Sequence, residues 1–170
     1  MIDVSTMIAM SITQPGGPVE GIRPHVERGN IVSASTSTRQ TNYGFGTDLD
    51  LPFAEAIERT TVALKAEGFG VLSTIDVAQT LREKIGAEIE PYVILGACNP
   101  QLAHRALQAE HQLGLLLPCN VIVYKHGEKS AVSIVNPAQM LGVVGDNPEL
   151  DAVAHEAEVR LRRVVASLAS

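Results

Sequence analysis

Two cysteines are the residues best suited to chemistry in this chain. Cys98 lies in the segment LGACNP and Cys119 in LLPCNV, and each cysteine follows an apolar run and precedes an asparagine. Asn99 followed by Pro100 is typical of a helix N-cap and a first helical residue. A thiol beside a helix N-terminus meets unpaired backbone N–H groups and the positive end of the helix dipole, which favour the thiolate. The pattern therefore indicates either a reactive thiol or a ligand site at Cys98.

His104 is the nearest candidate base or metal ligand, because it lies one turn into the helix predicted after Pro100. Cys119 would contribute only if the fold brings it close to Cys98. The candidate ligand-binding residues are thus Cys98, Asn99, His104 and Cys119. An alternative interpretation places both cysteines in the core, since free cysteine is among the most buried residue types. The sequence leaves the cofactor unknown and contains no complete set of metal ligands with convincing spacing.

Whether the two thiols meet depends on the path of the chain between them. If the helix after Cys98 ends at the far end of the sheet, a strand such as PYVILGA would separate the sulfurs by roughly 20 Å, at ~3.3 Å per residue. The segment QLGLLLP is long enough to bring the chain back. A disulfide requires Cα atoms within about 7 Å, which only the returning path could satisfy. The sequence is compatible with both paths.

Composition and charge exclude several classes of partner. Of the 170 residues, 45% are hydrophobic and 19% are charged, as in globular proteins. Aromatic residues make up only 4%, fewer than a base-stacking surface needs, and the net charge of -6 disfavours phosphate binding. We therefore expect no nucleic-acid partner.

The cysteine content and the hydropathy of the chain indicate where in the cell the protein is expected. Two cysteines in a chain of this length do not form a disulfide framework, so we expect free thiols and a cytoplasmic protein. The first residues, MIDVSTMIAMSI, lack the basic start of a secretory signal. No stretch approaches the roughly 18 apolar residues that span a bilayer, and we expect no membrane partner.

The chain divides into two regions of different character. Residues 1–41 contain a Pro/Gly-rich loop and a Ser/Thr-rich run without hydrophobic period. We interpret them as an irregular extension that wraps the domain or mediates assembly. Residues 42–170 are predicted to form a single domain.

Hydrophobic periodicity within that domain predicts the order β-α-β-α-β-α-β-β-α. PYVILGA is an apolar run typical of a buried strand, and a turn at Gly127 joins two strands as a hairpin. The last helix, about residues 148–169, has an apolar stripe on one face. Early alternation followed by a hairpin favours an α+β two-layer sandwich in which helices cover a mixed sheet.

Several acidic and amide residues are predicted helix caps. Asp50, Asp76 and Asn147 each precede a helical pattern, and Pro52 suits the first turn of its helix. Asp48 and Asp50 are two residues apart at a strand end, so they could also form a shallow cation or acid–base site. A turn followed by a cap explains the pair equally well.

Three segments resemble the domain of unknown function family 302, DUF302. They are ALKAEGFGVLSTIDVAQTLREKIG, EPYVILGACNPQLAHRAL and GLLLPCNVIVY, within about residues 43–140. The resemblance implies a small α+β domain and a homodimer, and both cysteine motifs belong to the family pattern. It implies no reaction, because the function of the family is not established. Residues 1–41 and much of the last helix lie outside the matching segments.

Three functional hypotheses follow from the residues and the resemblance. The leading one is a cytosolic, homodimeric binding module for a small ligand, a sulfur species or a metal near Cys98. The second is a thiol-dependent redox or transfer enzyme that uses Cys98. The third is a structural or interaction domain with both cysteines in the core.

Overall fold

A six-stranded sheet and a layer of helices make up the computed structural model, which describes residues 38–170. The strands are β1 Thr38–Gln40, β2 Gly44–Leu49, β3 Gly70–Asp76, β4 Tyr92–Cys98, β5 Cys119–His126 and β6 Lys129–Val135. The α-helices are α1 Phe53–Ala66, α2 Val77–Ile85, α3 Pro100–Ala109, α4 Pro137–Leu141 and α5 Pro148–Leu168. The predicted order is confirmed, with β1 and α4 in addition. Predictions for residues 1–37 lie outside the described residues, whereas β1 belongs to the stretch assigned to the extension.

The strand order is β1-β2-β6-β5-β4-β3, and every neighbouring pair is antiparallel. The α+β class is therefore confirmed, but the prediction of a mixed sheet is wrong. Parallel neighbours require a crossover to the opposite end of the sheet. Here α2, and likewise α3 with the 3₁₀ helix His111–Leu115, return the chain to the end that it left. The neighbouring strands β3 and β4, and likewise β4 and β5, are consequently antiparallel.

The hydrophobic core lies against one face of the sheet. In β4, Val93, Leu95 and Ala97 are buried in the core, whereas Tyr92 and Ile94 alternate with them and are only half-buried. The strand residues of the core all project from this same face. The opposite face, here called the outer face, contributes no side chain to the core cluster. The prediction that PYVILGA is a buried strand thus holds for one face only.

The longest helix supplies the opposing surface of the core. The buried stripe of α5 is as predicted and consists of Leu150, Val153, Ala157, Leu161, Val164 and Leu168. Burial of a side chain such as Leu161 stabilises the fold by about 2 kcal/mol. None of the helices within residues 38–170 is both long and apolar enough to cross a membrane.

Local capping signals are largely confirmed. The Asp76 carboxylate accepts a hydrogen bond from the Gln79 N–H at 2.8 Å, and Asn147 caps α5. The predicted Asp50 cap is wrong, because α1 begins at Phe53 without any side-chain cap. Asp50 lies too far ahead of the first N–H groups of α1, and its carboxylate instead lies 3.7 Å from the Lys129 ammonium.

Ion pairs connect the helices within their layer. Arg105 of α3 lies 2.9 Å from Glu156 of α5, and Arg160 binds the same carboxylate at 2.7 Å. Hydrogen bonds from Arg160 and then Arg105 hold the pKa of Glu156 below its usual value. Glu67, after α1, pairs with Arg163 of α5 at 2.7 Å. These contacts fix α5 over α1 and α3 at the surface of the layer.

Candidate functional site

The two cysteines lie on neighbouring strands at one end of the sheet. Cys98 is the last residue of β4, Cys119 is the first residue of β5, and Cys119 pairs directly with Ala97. Both are free thiols. Of the two chain paths that the sequence allowed, the one that returns to Cys98 is therefore present.

Cys98, Asn99 and Cys119 line one small cavity between the sheet and the helices. Its volume is about 30 Å³, and apolar side chains such as Leu102 and Val153 form the rest of its wall. A cavity of this size admits one or two water molecules. It has no room for an organic ligand.

Burial disfavours the ionised form of both thiols. It raises the pKa of the half-buried Cys98 thiol above its usual value of 9.0. Burial, and then repulsion by an ionised Cys98, raises the pKa of Cys119 to about 11. Burial against the apolar wall of the cavity therefore favours the neutral form of both thiols.

Asn99 is a structural cap and His104 lies apart from the cavity. The buried Asn99 side chain accepts hydrogen bonds from the N–H groups of Gln101 and Leu102, at 3.1 and 3.2 Å. This confirms the predicted cap of α3. His104 is exposed and does not line the cavity, so the structure brings together three of the four candidate residues.

The outer face contains a second and larger concentration of functional groups. Cross-strand partners project from the same face of a sheet, and the registers place one row of residues straight across all six strands. In order from β1 to β3, the row is Arg39, Gly46, Ser133, Ile122, Ile94 and Ile75. A second row on the same face crosses four strands and consists of Asp48, Ala131, Tyr124 and Tyr92. Small residues occupy β2 and β6, whereas bulky apolar residues occupy β5, β4 and β3.

This difference in side-chain size produces a groove of about 350 Å³ over β2 and β6. Gly44, Ser133 and Val135 line it together with the aromatic residues Tyr43 and Tyr124. The Tyr124 ring stacks on Tyr92, with ring centroids 5.6 Å apart. The groove thus combines an apolar, aromatic wall with a few polar groups.

Arg39 extends from β1 along the groove. Its Nε donates to Asp48 at 2.7 Å, and its guanidinium carbon lies 5.8 Å from the centre of the Tyr124 ring. Nη2 lies 2.9 Å from Nδ1 of His126, which must accept because arginine has no acceptor. Gly46 faces Arg39 and has no room for a side chain, since a Cβ would lie 1.9 Å from the Val132 carbonyl oxygen. Three strands, β1, β2 and β5, therefore contribute to one polar cluster beside the groove.

A family model for the domain of unknown function DUF302 matches residues 45–168. The chain belongs to the DUF302 family. The match continues past residue 140, where the quoted motifs end, and includes α5. The last helix is therefore part of the family domain.

A solved relative agrees with this assignment. The crystal structure of an uncharacterized conserved DUF302 protein from Bacillus stearothermophilus has a TM-score of 0.68 and 35% sequence identity. The similarity covers 74% of this chain and 98% of that one. No curated protein matches the chain. The comparisons thus establish the family and the fold.

The sequence indicated the two cysteines of this DUF302 chain as a candidate site, but it did not indicate the groove. Arg39 lies in a polar stretch without periodicity, and His126 lies 87 residues away in the chain. Gly44 and Gly46 gave a usable signal, because two glycines two residues apart in a strand leave one face bare.

Acidic and metal-ligating residues do not combine into a further site. Asp48 pairs with Arg39, whereas Asp50 faces Lys129, so the two carboxylates have different partners. Within residues 38–170, no group of three or more His, Cys, Asp and Glu side chains is placed to hold a metal ion.

Proposed function

We propose that this DUF302 chain is a binding module that takes a small organic ligand in the groove of its outer face. The supporting observation is the groove itself, with a volume of about 350 Å³ beside Arg39 and Tyr124. Ligand sites typically have volumes of roughly 300–1,000 Å³ and apolar or aromatic walls with few polar groups. The groove combines these properties.

The groove is a better candidate than the cavity at Cys98. That cavity has a volume of about 30 Å³, less than a tenth of the groove, and is bounded by core side chains. A ligand, sulfur species or metal at Cys98 and Cys119 stays a prediction, and it would require the cavity to open.

The thiol-dependent enzyme receives less support. A nucleophilic cysteine needs an accessible thiolate, whereas burial raises the pKa of both Cys98 and Cys119. The same burial supports the hypothesis that the cysteines pack the junction between β4 and α3.

We further propose that the module is a homodimer, and that a second copy covers the isoleucine row of the outer face. Ile75, Ile94 and Ile122 are direct cross-strand neighbours on β3, β4 and β5. Ile75 is 49% exposed to solvent. Removing water from an apolar strip of this kind is favourable, so a protein surface that covers it would be stabilised there. A two-fold axis would place equivalent strips against each other, with Ile122 shared between the edge of that interface and the wall of the groove. A cytoplasmic location is the accompanying expectation from the low cysteine content.

Calorimetric titration with naphthamide and the naphthoate anion tests the groove. At least one of these planar probes is expected to bind with one site per chain. Asn120→Trp places a bulky ring in the groove from an exposed position of β5 and should abolish binding. Lys125→Trp, an exposed position of the same strand that does not line the groove, is the matched control. Absence of binding for both probes, or binding that survives Asn120→Trp, would reject the proposal.

A further inference from the structure

The charges that line the groove differ from those of the whole chain. The chain has a net charge of -6, yet among residues 38–170 Arg39 is the single charged residue that lines the groove. No carboxylate lines it within the described residues. The other polar lining groups include the Ser133 hydroxyl, the Asn120 amide and the Tyr124 hydroxyl, all of which can donate hydrogen bonds. A ligand with acceptor oxygens and negative charge complements this set.

Arg39 is held in place by groups that lie outside the groove lining. Asp48 and His126 bind Nε and Nη2, and neither residue lines the groove. Within residues 38–170, Nη1 has no hydrogen-bond partner. The guanidinium is thus oriented in advance, with one nitrogen available to a ligand.

We infer that the ligand is a planar, apolar organic acid whose carboxylate binds Arg39. This inference rests on the proposed function of the groove. The carboxylate accepts from Nη1 of Arg39, while the body of the molecule packs between Tyr124 and Ile122. Gly44 lines the groove without a side chain, which leaves room for a flat ring system. A hydrogen bond between two charged groups is stronger than a neutral one, so the anion binds better than its neutral amide.

The size of this preference is limited by Asp48. Its carboxylate offsets part of the guanidinium charge at 2.7 Å, so the ligand gains a charged hydrogen bond rather than a full unpaired charge. One such bond corresponds to about a tenfold preference. The preference should depend on Arg39 and not on the apolar wall.

The test compares naphthoate with naphthamide, two ligands of the same shape that differ in charge. Calorimetry on the full chain at neutral pH should give a dissociation constant about tenfold lower for naphthoate. Arg39→Met retains the aliphatic part of the side chain and should equalise the two ligands, while binding of naphthamide persists. Arg39→Lys retains the charge and should keep part of the preference. Arg59→Met, an exposed site on α1, is the control.

The outcomes separate this inference from the proposed function. Equal affinity of the unaltered chain for the two ligands would overturn the carboxylate inference and leave the groove as a binding site. A preference for naphthoate that survives Arg39→Met would likewise overturn it. If the unaltered chain bound neither naphthoate nor naphthamide, the groove would be rejected as a ligand-binding site.

Discussion

Cys98 and Cys119 lie in an apolar cavity that favours their neutral forms. In a Cys119→Ser variant at neutral pH, folded Cys98 should react with iodoacetamide more slowly than Cys98 of the urea-unfolded chain. The rate should rise with pH beyond the ordinary thiol value of 9.0, since burial raises the pKa of Cys98. Mass spectrometry of timed samples measures the modified fraction. A folded Cys98 that reacts faster than the unfolded one would favour the thiol enzyme instead.

Asn99 stabilises the start of α3 through two hydrogen bonds from backbone N–H groups. Asn99→Ala should lower the free energy of unfolding by about 1–2 kcal/mol, because a buried cap is lost. Asn99→Asp keeps an acceptor oxygen at the same place and should lower the free energy of unfolding much less. Urea denaturation measures both variants. Equal stability of Asn99→Ala and the unaltered chain would contradict the role as a cap.

At the residue scale, local chemistry could be predicted and long-range neighbours could not. The Asn99 cap follows from an asparagine–proline pair, which acts on N–H groups within three residues. The environment of Arg39 depends instead on strand pairing between β1 and β2 and on a distant hairpin. No pattern within β1 indicates that its three residues form a strand.

At the scale of elements, α5 is fixed over α1 and α3 by pairs of arginine and glutamate. The folded state lowers the pKa of Glu156 below its usual value of 4.5, so the pairs stabilise the fold above that pH. This stability is lost as pH falls through the lowered pKa of the folded state. These pairs lie at the surface, where water and salt screen them, so the contribution of each pair is small.

Glu156→Gln should therefore reduce the loss of unfolding free energy on acidification below pH 4.5. Urea denaturation at a series of pH values measures this change. Glu128→Gln, at an exposed residue of the β5–β6 turn, is the control and should match the unaltered chain. An identical acid response of Glu156→Gln and the unaltered chain would show that these pairs contribute nothing.

Elements with a strong period were predicted well, and their arrangement was not. The α5 stripe and the β5–β6 hairpin follow from local spacing. Strand direction depends on how far α3 and the segment after it carry the chain, which periodicity does not specify. The apolar run of β4 suggested burial on both faces, but Ile94 belongs to the isoleucine row of the outer face.

At the scale of the whole molecule, the isoleucine row predicts an effect on assembly. Ile75→Asp should convert the expected homodimer to a monomer, because a charge on this strip would be costly to bury. Ile85→Asp is the control, since Ile85 is 72% exposed on α2 and does not belong to the row. Sedimentation velocity gives the mass of each species. A dimer that tolerates Ile75→Asp would place the interface elsewhere, and a monomeric unaltered chain would reject the homodimer.

Ligand binding in the groove of the outer face can be located residue by residue in solution. The most direct test follows the amide chemical shifts of isotopically labelled protein during titration with naphthoate. Shift changes are expected around the groove, at residues such as Tyr43, Asn120 and Ser133, with little change near Cys98. Shifts concentrated at Cys98 and Asn99, or none at all, would contradict ligand binding in the groove.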